Sequence, residues 1–118
     1  MPRQPTILFV DDEPLLLQLF PIWLARQGYH VLTAASGEDA LKVLAGEAID
    51  ALLVDYNLPG MNGPQLIEQC GGRPAILLAS GLEEIADEEQ HRLNIIAVLS
   101  KPIQRDQMLA ALAQAAKL

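Results

Sequence analysis

Positive charge is what this sequence has least of. Its 8 Lys and Arg are scattered singly among 15 Asp and Glu, and the formal charge is −7. Phosphate backbones and anionic lipid surfaces need concentrated cations, so neither nucleic acid nor a membrane is expected as a partner. Cysteine is nearly absent. Cys70 stands alone, which excludes a disulfide within the chain and suits a reducing compartment. Cys70 itself reads as an inert, small apolar residue rather than a nucleophile. No apolar run approaches the length of a membrane span. The opening MPRQP leads straight into a β-rich segment and lacks the apolar region and cleavage site of a signal peptide. The expected localisation is cytoplasmic. His30 and His91 are isolated and lack ligand spacing, which argues for surface or packing roles.

What is present is apolar residues in short blocks. They make up 51% of the 118 residues, enough for the core of one domain spanning the chain. Residues 6–10 are β-rich. Residues 14–27 have helix length, with Pro14 at the start, where its missing N–H costs little, and Gly28 behind. Residues 30–34 form a second short strand. Ser36 to Asp39 resembles a cap, and Ala40, Leu41, Val43 and Leu44 follow helical spacing towards Gly46. The apolar run 49–54 stops at Asp55, before a loop dense in turn residues (57–63). A short helix over 64–70 breaks at Gly71-Gly72. The run 75–79 ends at Ser80-Gly81, an acidic helix is expected over 82–93, the run 95–99 ends at Ser100-Lys101-Pro102, and the last helix spans 105–117. Five β-α units predict an α/β fold with a parallel sheet covered by helices on both faces.

In an open α/β sheet, ligands bind beyond the carboxyl ends of the strands. Those ends carry Asp11 and Asp12, Asp55, Ser80 and Lys101, which should therefore meet in one crevice. Two like charges about 4 Å apart repel by roughly 4 kcal/mol at an effective dielectric near 20. The acids either fan into solvent and cap the next helix, or they hold a cation. Carboxylate oxygens suit Mg²⁺, which keeps several waters and takes phosphate oxygens as further ligands. With a hydroxyl and an ammonium beside them, the set reads as a phosphoryl-transfer centre that works by positioning and charge stabilisation. One carboxylate could be the nucleophile, forming an aspartyl-phosphate.

Four stretches, LFVDDEP (8–14), LLVDYNLPGMNG (52–63), ILLASG (76–81) and VLSKPI (98–103), together resemble the receiver domain of bacterial two-component response regulators. The resemblance runs from about Thr6 to Leu118. It implies a flavodoxin-like (βα)5 doubly wound sheet of strand order 2-1-3-4-5. It implies that Asp55 accepts a phosphoryl group from a histidine kinase or histidine phosphotransfer protein. Asp12 matches a direct Mg²⁺ ligand, Asp11 the acid that helps hold the metal, and Asn57 the residue whose backbone carbonyl completes the metal site. Ser80 matches the hydroxyl that bonds a phosphoryl oxygen and moves inward, and Lys101 the lysine that pairs with the phosphoryl group. Pro102 would follow a cis peptide bond. Gly81 would leave access to the acceptor, and a glycine at 63 suggests positive φ or close approach. Self-phosphorylation, self-dephosphorylation and signalling to a downstream protein partner are the implied activities. The chain ends with the fifth helix, so output is expected through protein contact, from a stand-alone receiver or from one belonging to a hybrid kinase.

Besides a segment from Gly63 to Pro74 that is short for the family and expected to be neutral, two features depart from the family pattern. Receivers usually carry an aromatic three residues before the lysine, and here that position is Val98, expected simply to pack the fifth strand. In the first helix, an inward stripe of Leu16, Leu19, Phe20, Trp23 and Gln27 leaves Leu17, Pro21 and Ile22 outward, with Pro21 expected to kink the helix. An apolar patch there suits docking of the histidine donor. The run Glu83 to Glu89 reads as a solvated helix face. Two other functions use the same acids. A Mg²⁺-dependent small-molecule phosphohydrolase would need a substrate pocket, and the loops are short. A phosphorylation-independent interaction module would not need the intact set of Asp11, Asp12, Asp55, Ser80 and Lys101.

Overall fold

The computed structural model describes residues 4–81 and 83–116. Met1 to Arg3, Leu82 at the start of the expected fourth helix, and Lys117 at the end of the expected fifth lie outside the described residues. Strands and helices alternate without exception: β1 (Thr6–Val10), α1 (Pro14–Ala25), β2 (His30–Ala34), α2 (Gly37–Gly46), β3 (Ala51–Asp55), α3 (Gly63–Glu68), β4 (Ala75–Ala79), α4 (Asp87–Leu93), β5 (Ile95–Ser100) and α5 (Arg105–Ala115). The five strands form one parallel sheet in the order β2-β1-β3-β4-β5, as expected.

Every residue of β3 and β4 is buried, because helices cover both faces of these central strands. Alternate residues feed two separate cores. Leu52 and Val54 join Ala40, Leu66 and Leu93 on one face, while Ala51 and Leu53 join Leu24, Met108 and Leu112 on the other. Each fully buried leucine contributes roughly 1.5–3 kcal/mol. Local chemistry starts the helices. Pro14 opens α1, the Ser36 hydroxyl accepts from the Asp39 N–H at 3.1 Å, and Asn62 and Gln65 form a reciprocal capping box at 2.8 Å in each direction.

The first helix corrects the expected stripe. Leu16, Leu17, Phe20 and Trp23 pack on the core and Leu24 is fully buried, whereas Leu19 is 50% exposed. Leu17 and Leu19 thus exchange sides, because the inward face follows 17, 20 and 24 at helical spacing. Gln27 lies past the helix end and is exposed. Leu15, Leu19 and Ile22 form the outward stripe, and the helix runs through Pro21 as one element. The fourth helix begins only at Asp87, so residues 83–86 are coil rather than helix face. Val98 packs against the first core, and His30 and His91 are exposed. Cys70 is buried with its thiol donating to the Leu66 carbonyl at 3.1 Å, and burial pushes its pKa up to about 11.

Candidate functional site

The register of the sheet assembles the acids. Val10 of β1 lies beside Val54 of β3, so Asp11 and Asp55 emerge next to each other. The Asp11 N–H donates to the Ala34 carbonyl at 3.1 Å, and the Asp11 carboxylate accepts from the Glu13 N–H at 2.9 Å. Asp11 is fully buried, Asp55 is 5% exposed and Asp12 faces solvent. One carboxylate oxygen from each of the three lies within 4.8 Å of the others.

Lys101 reaches in from the end of β5. Its N–H donates to the Ala79 carbonyl at 2.7 Å, and the peptide that follows, Lys101–Pro102, is cis as the resemblance implies. The ammonium lies 3.2 Å from Asp11 Oδ2 and 3.1 Å from Asp55 Oδ2. Burial raises the Asp55 pKa, against the lowering pull of hydrogen bonds from Lys101 and the Asn57 N–H. Burial alone would lower the Lys101 pKa, but the hydrogen bond to Asp55 and the charges of Asp11 and Asp55 outweigh it and hold it above its usual value.

The loop after Asp55 folds back on its own strand. Gly63 donates to the Tyr56 carbonyl at 2.7 Å. A Cβ on Gly63 would sit 2.7 Å from the Asp55 carbonyl oxygen and 2.7 Å from Leu77 Cδ1. Close approach, and not positive φ, is therefore what requires glycine there. Gly81, by contrast, has φ of +105° and open space where a Cβ would sit, so backbone conformation is what favours glycine there. Asn57 donates its N–H to Asp55 Oδ1 at 3.2 Å.

Among the described residues, three carboxylates face a single ammonium, so negative charge remains uncompensated. Hard oxygen donors converging on one point fit a divalent cation of the Mg²⁺ kind, the metal expected from the sequence.

Ser80 lies at the same mouth, two residues beyond Leu78, the register partner of Asp55. Its hydroxyl is engaged elsewhere, donating to Glu83 Oε2 at 2.6 Å. Glu83 also accepts from the Ser80 N–H at 2.9 Å and, through Oε1, from Asn57 Nδ2 at 2.7 Å. The Ser80 hydrogen bond leads the influences that hold the Glu83 carboxyl down to about 2. Sequence reasoning missed Glu83 by assigning it to a solvated helix face. The signal available was the Ser-x-x-Glu spacing, the reach of a capping-box carboxylate back to a backbone N–H.

Beside Lys101, an apolar groove of about 550 Å³ is lined by Glu13, Leu16, Phe20, Pro102 and Ile103. It adjoins a smaller hollow where the Arg105 guanidinium lies 5.0 Å above the Trp23 ring.

A parallel 2-1-3-4-5 sheet with an acidic trio and a lysine at its carboxyl edge defines a class, and sequence comparison agrees. The model of the response regulator receiver domain matches residues 7–113, and the chain belongs to that family. Among curated proteins, it is 34% identical over 113 residues to the transcriptional regulatory protein GlrR of Escherichia coli K12, covering 90% of this chain and 25% of that protein. It is 37% identical over 111 residues to the sensor histidine kinase RcsC of Salmonella typhi, covering 91% of this chain and 12% of that protein. The chain thus spans a quarter or less of the length of these two relatives. Among solved structures, the signal receiver domain of an HD domain-containing protein from Pseudomonas fluorescens Pf-5 superposes with a TM-score of 0.84 at 30% identity, covering 96% of this chain and 94% of that one. The chemotaxis response regulator CheY4 of Vibrio cholerae gives 0.80 at 25% identity, covering 95% and 98%. The chain is a receiver domain of two-component signalling, a class whose partners are histidine kinases. No helix among the described residues is long and apolar enough to cross a membrane.

Proposed function

We propose that Asp55 accepts a phosphoryl group from a phosphohistidine, and that this acceptance is the switch of the chain. The observation that carries the reading is the convergence of Asp11, Asp12 and Asp55 around the Lys101 ammonium. A carboxylate oxygen of Asp55 attacks phosphorus, the P–N bond breaks, and its electron pair stays on the imidazole nitrogen, which takes up a proton. Lys101, already above its usual pKa, remains cationic and offsets charge on the phosphoryl oxygens. Ser80 supplies a neutral donor from the opposite loop. Asp11, Asp12, Asp55 and the Asn57 carbonyl would hold Mg²⁺, which supplies charge neutralisation at the phosphoryl oxygens when bound. In the reverse sense, water attacks phosphorus, inorganic phosphate leaves and the Asp55 carboxylate is restored.

The donor docks on α1. Its 12 residues carry no charge, and its outward stripe of Leu15, Leu19 and Ile22 stands beside the groove that leads to Lys101. An apolar face next to the acceptor suits a helical partner that must bring its histidine within reach. With Val98 in place of an aromatic, output to a downstream protein runs through the Ser80 loop rather than a ring on β5. The setting is the cytoplasm, where histidine kinases phosphorylate their partners.

Transfer from autophosphorylated histidine kinases tests this reading. Label should move to the chain from at least one kinase, be absent in Asp55→Asn, and fall about tenfold in Leu19→Lys with the fold intact. Transfer undiminished in Asp55→Asn would remove the acceptor assignment. Transfer undiminished in Leu19→Lys would remove the docking face.

A further inference from the structure

Glu83 ties together the two loops that flank Asp55. One oxygen of its carboxylate takes the Ser80 hydroxyl and the Ser80 N–H, at 2.6 and 2.9 Å, and the other takes the Asn57 side-chain amide at 2.7 Å. A serine hydroxyl has one proton to give. While that proton is on Glu83 it is not available to an oxygen at Asp55. The same carboxylate adds a negative charge to a mouth that already holds three. Glu83 is itself only partly buried and lies in the coil at 83–86 between β4 and α4, outside both cores.

We infer that Glu83 is a positioning residue of the phosphoryl-transfer site. It latches the Ser80 hydroxyl and the Asn57 amide in the unmodified chain, and the phosphoryl group must take the Ser80 proton from it. The inference rests on the reading of Asp55 as acceptor. Charge-assisted hydrogen bonds are among the stronger ones, so the competition is between comparable partners, carboxylate and phosphoryl oxygen. Glu83 therefore sets how readily the modified state forms, and its removal favours that state.

Beryllofluoride, which occupies the place of a phosphoryl group on a carboxylate, tests this as an equilibrium. Its binding in the presence of Mg²⁺ would be followed by fluorine NMR on wild type, Glu83→Ala, Glu83→Gln, Ser80→Ala and the double variant Ser80→Ala/Glu83→Ala. Glu83→Ala should bind about tenfold more tightly than wild type. Glu83→Gln, which keeps a neutral acceptor for the hydroxyl, should fall between them. In the Ser80→Ala background the gain should shrink to about twofold, a dependence that loss of charge or loop structure alone does not produce. Glu84→Ala removes the same charge one residue along an exposed stretch and should stay within about twofold of wild type. Unchanged or weaker binding in Glu83→Ala would overturn the latch, as would a gain that persists in full without Ser80. If wild type binds no beryllofluoride at Asp55, the acceptor reading fails and the latch with it.

Discussion

Strand β3 is bracketed by two aspartates that the structure uses in opposite ways. Asp50 precedes the strand. Its carboxylate accepts from the Thr6 N–H at 2.8 Å and its own N–H donates to the Thr6 carbonyl at 2.8 Å, so it fastens β3 to β1. Asp55 closes the strand. It is 5% exposed, its pKa is raised by burial, and its neighbours are a second buried acid and a shared ammonium. One acid is partly buried and hydrogen-bonded into the sheet. The other is buried in a crowd of like charge that only Lys101 offsets among the described residues. Same residue type and same strand therefore give a sheet contact at the amino edge and a crowded, charged crevice at the carboxyl edge, where open α/β sheets bind their ligands.

The widest separation between the two comes from amide replacement. Asp55→Asn should abolish phosphoryl acceptance while the chain stays folded, and Asp50→Asn should leave acceptance intact. Parallel phosphorylation and circular dichroism check both at once, and equal losses would erase the distinction.

The residues between them should behave as packing alone. Leu53→Ala should cost about 2–5 kcal/mol in urea unfolding, with phosphoryl acceptance per folded molecule unchanged. Gly63→Ala sharpens the contrast differently, since the new methyl meets the Asp55 carbonyl oxygen and Leu77. It should cost about 1–3 kcal/mol and, unlike Leu53→Ala, also slow acceptance by displacing the acceptor's backbone. A substitution that shifts only stability would show that the loop does not position Asp55.

The effect least connected to phosphoryl acceptance concerns Cys70, just past the end of α3. Burial raises its folded pKa to about 11, above the ordinary thiol value of about 9. A raised folded pKa means that stability is fully present below the unfolded value and declines as pH rises through the folded one. Unfolding free energy should therefore fall between about pH 9 and 11, and a Cys70→Ala variant should lose that part of the slope. Identical slopes in both chains would mean that the thiol does not feel its burial.

Much of this was legible in the sequence, for reasons visible in particular residues. Central strands buried on both faces read as unbroken apolar runs, and each run stops at a polar residue that sits at the crevice, so Asp11, Asp55, Ser80 and Lys101 can be placed together from the sequence. The side-to-side assignment in α1 was not legible, because Leu15, Leu16, Leu17, Leu19, Phe20, Pro21 and Ile22 together surround the helix and leave periodicity little to separate. Glu83 was hidden by its neighbours. An acidic run with helical propensity suggests one continuous exposed helix, whereas residues 83–86 are coil and Glu83 turns back to Ser80. A carboxylate that bonds back to a loop N–H rather than facing solvent leaves no mark on composition.

The most direct measurement is intact mass after incubation with acetyl phosphate, with and without Mg²⁺, for wild type and Asp55→Asn. A single phosphoryl adduct that requires Mg²⁺ and disappears in Asp55→Asn is the expected result. An adduct that survives in Asp55→Asn, or that forms equally well without a divalent cation, would contradict the assignment of Asp55 as acceptor within a metal-holding acidic trio.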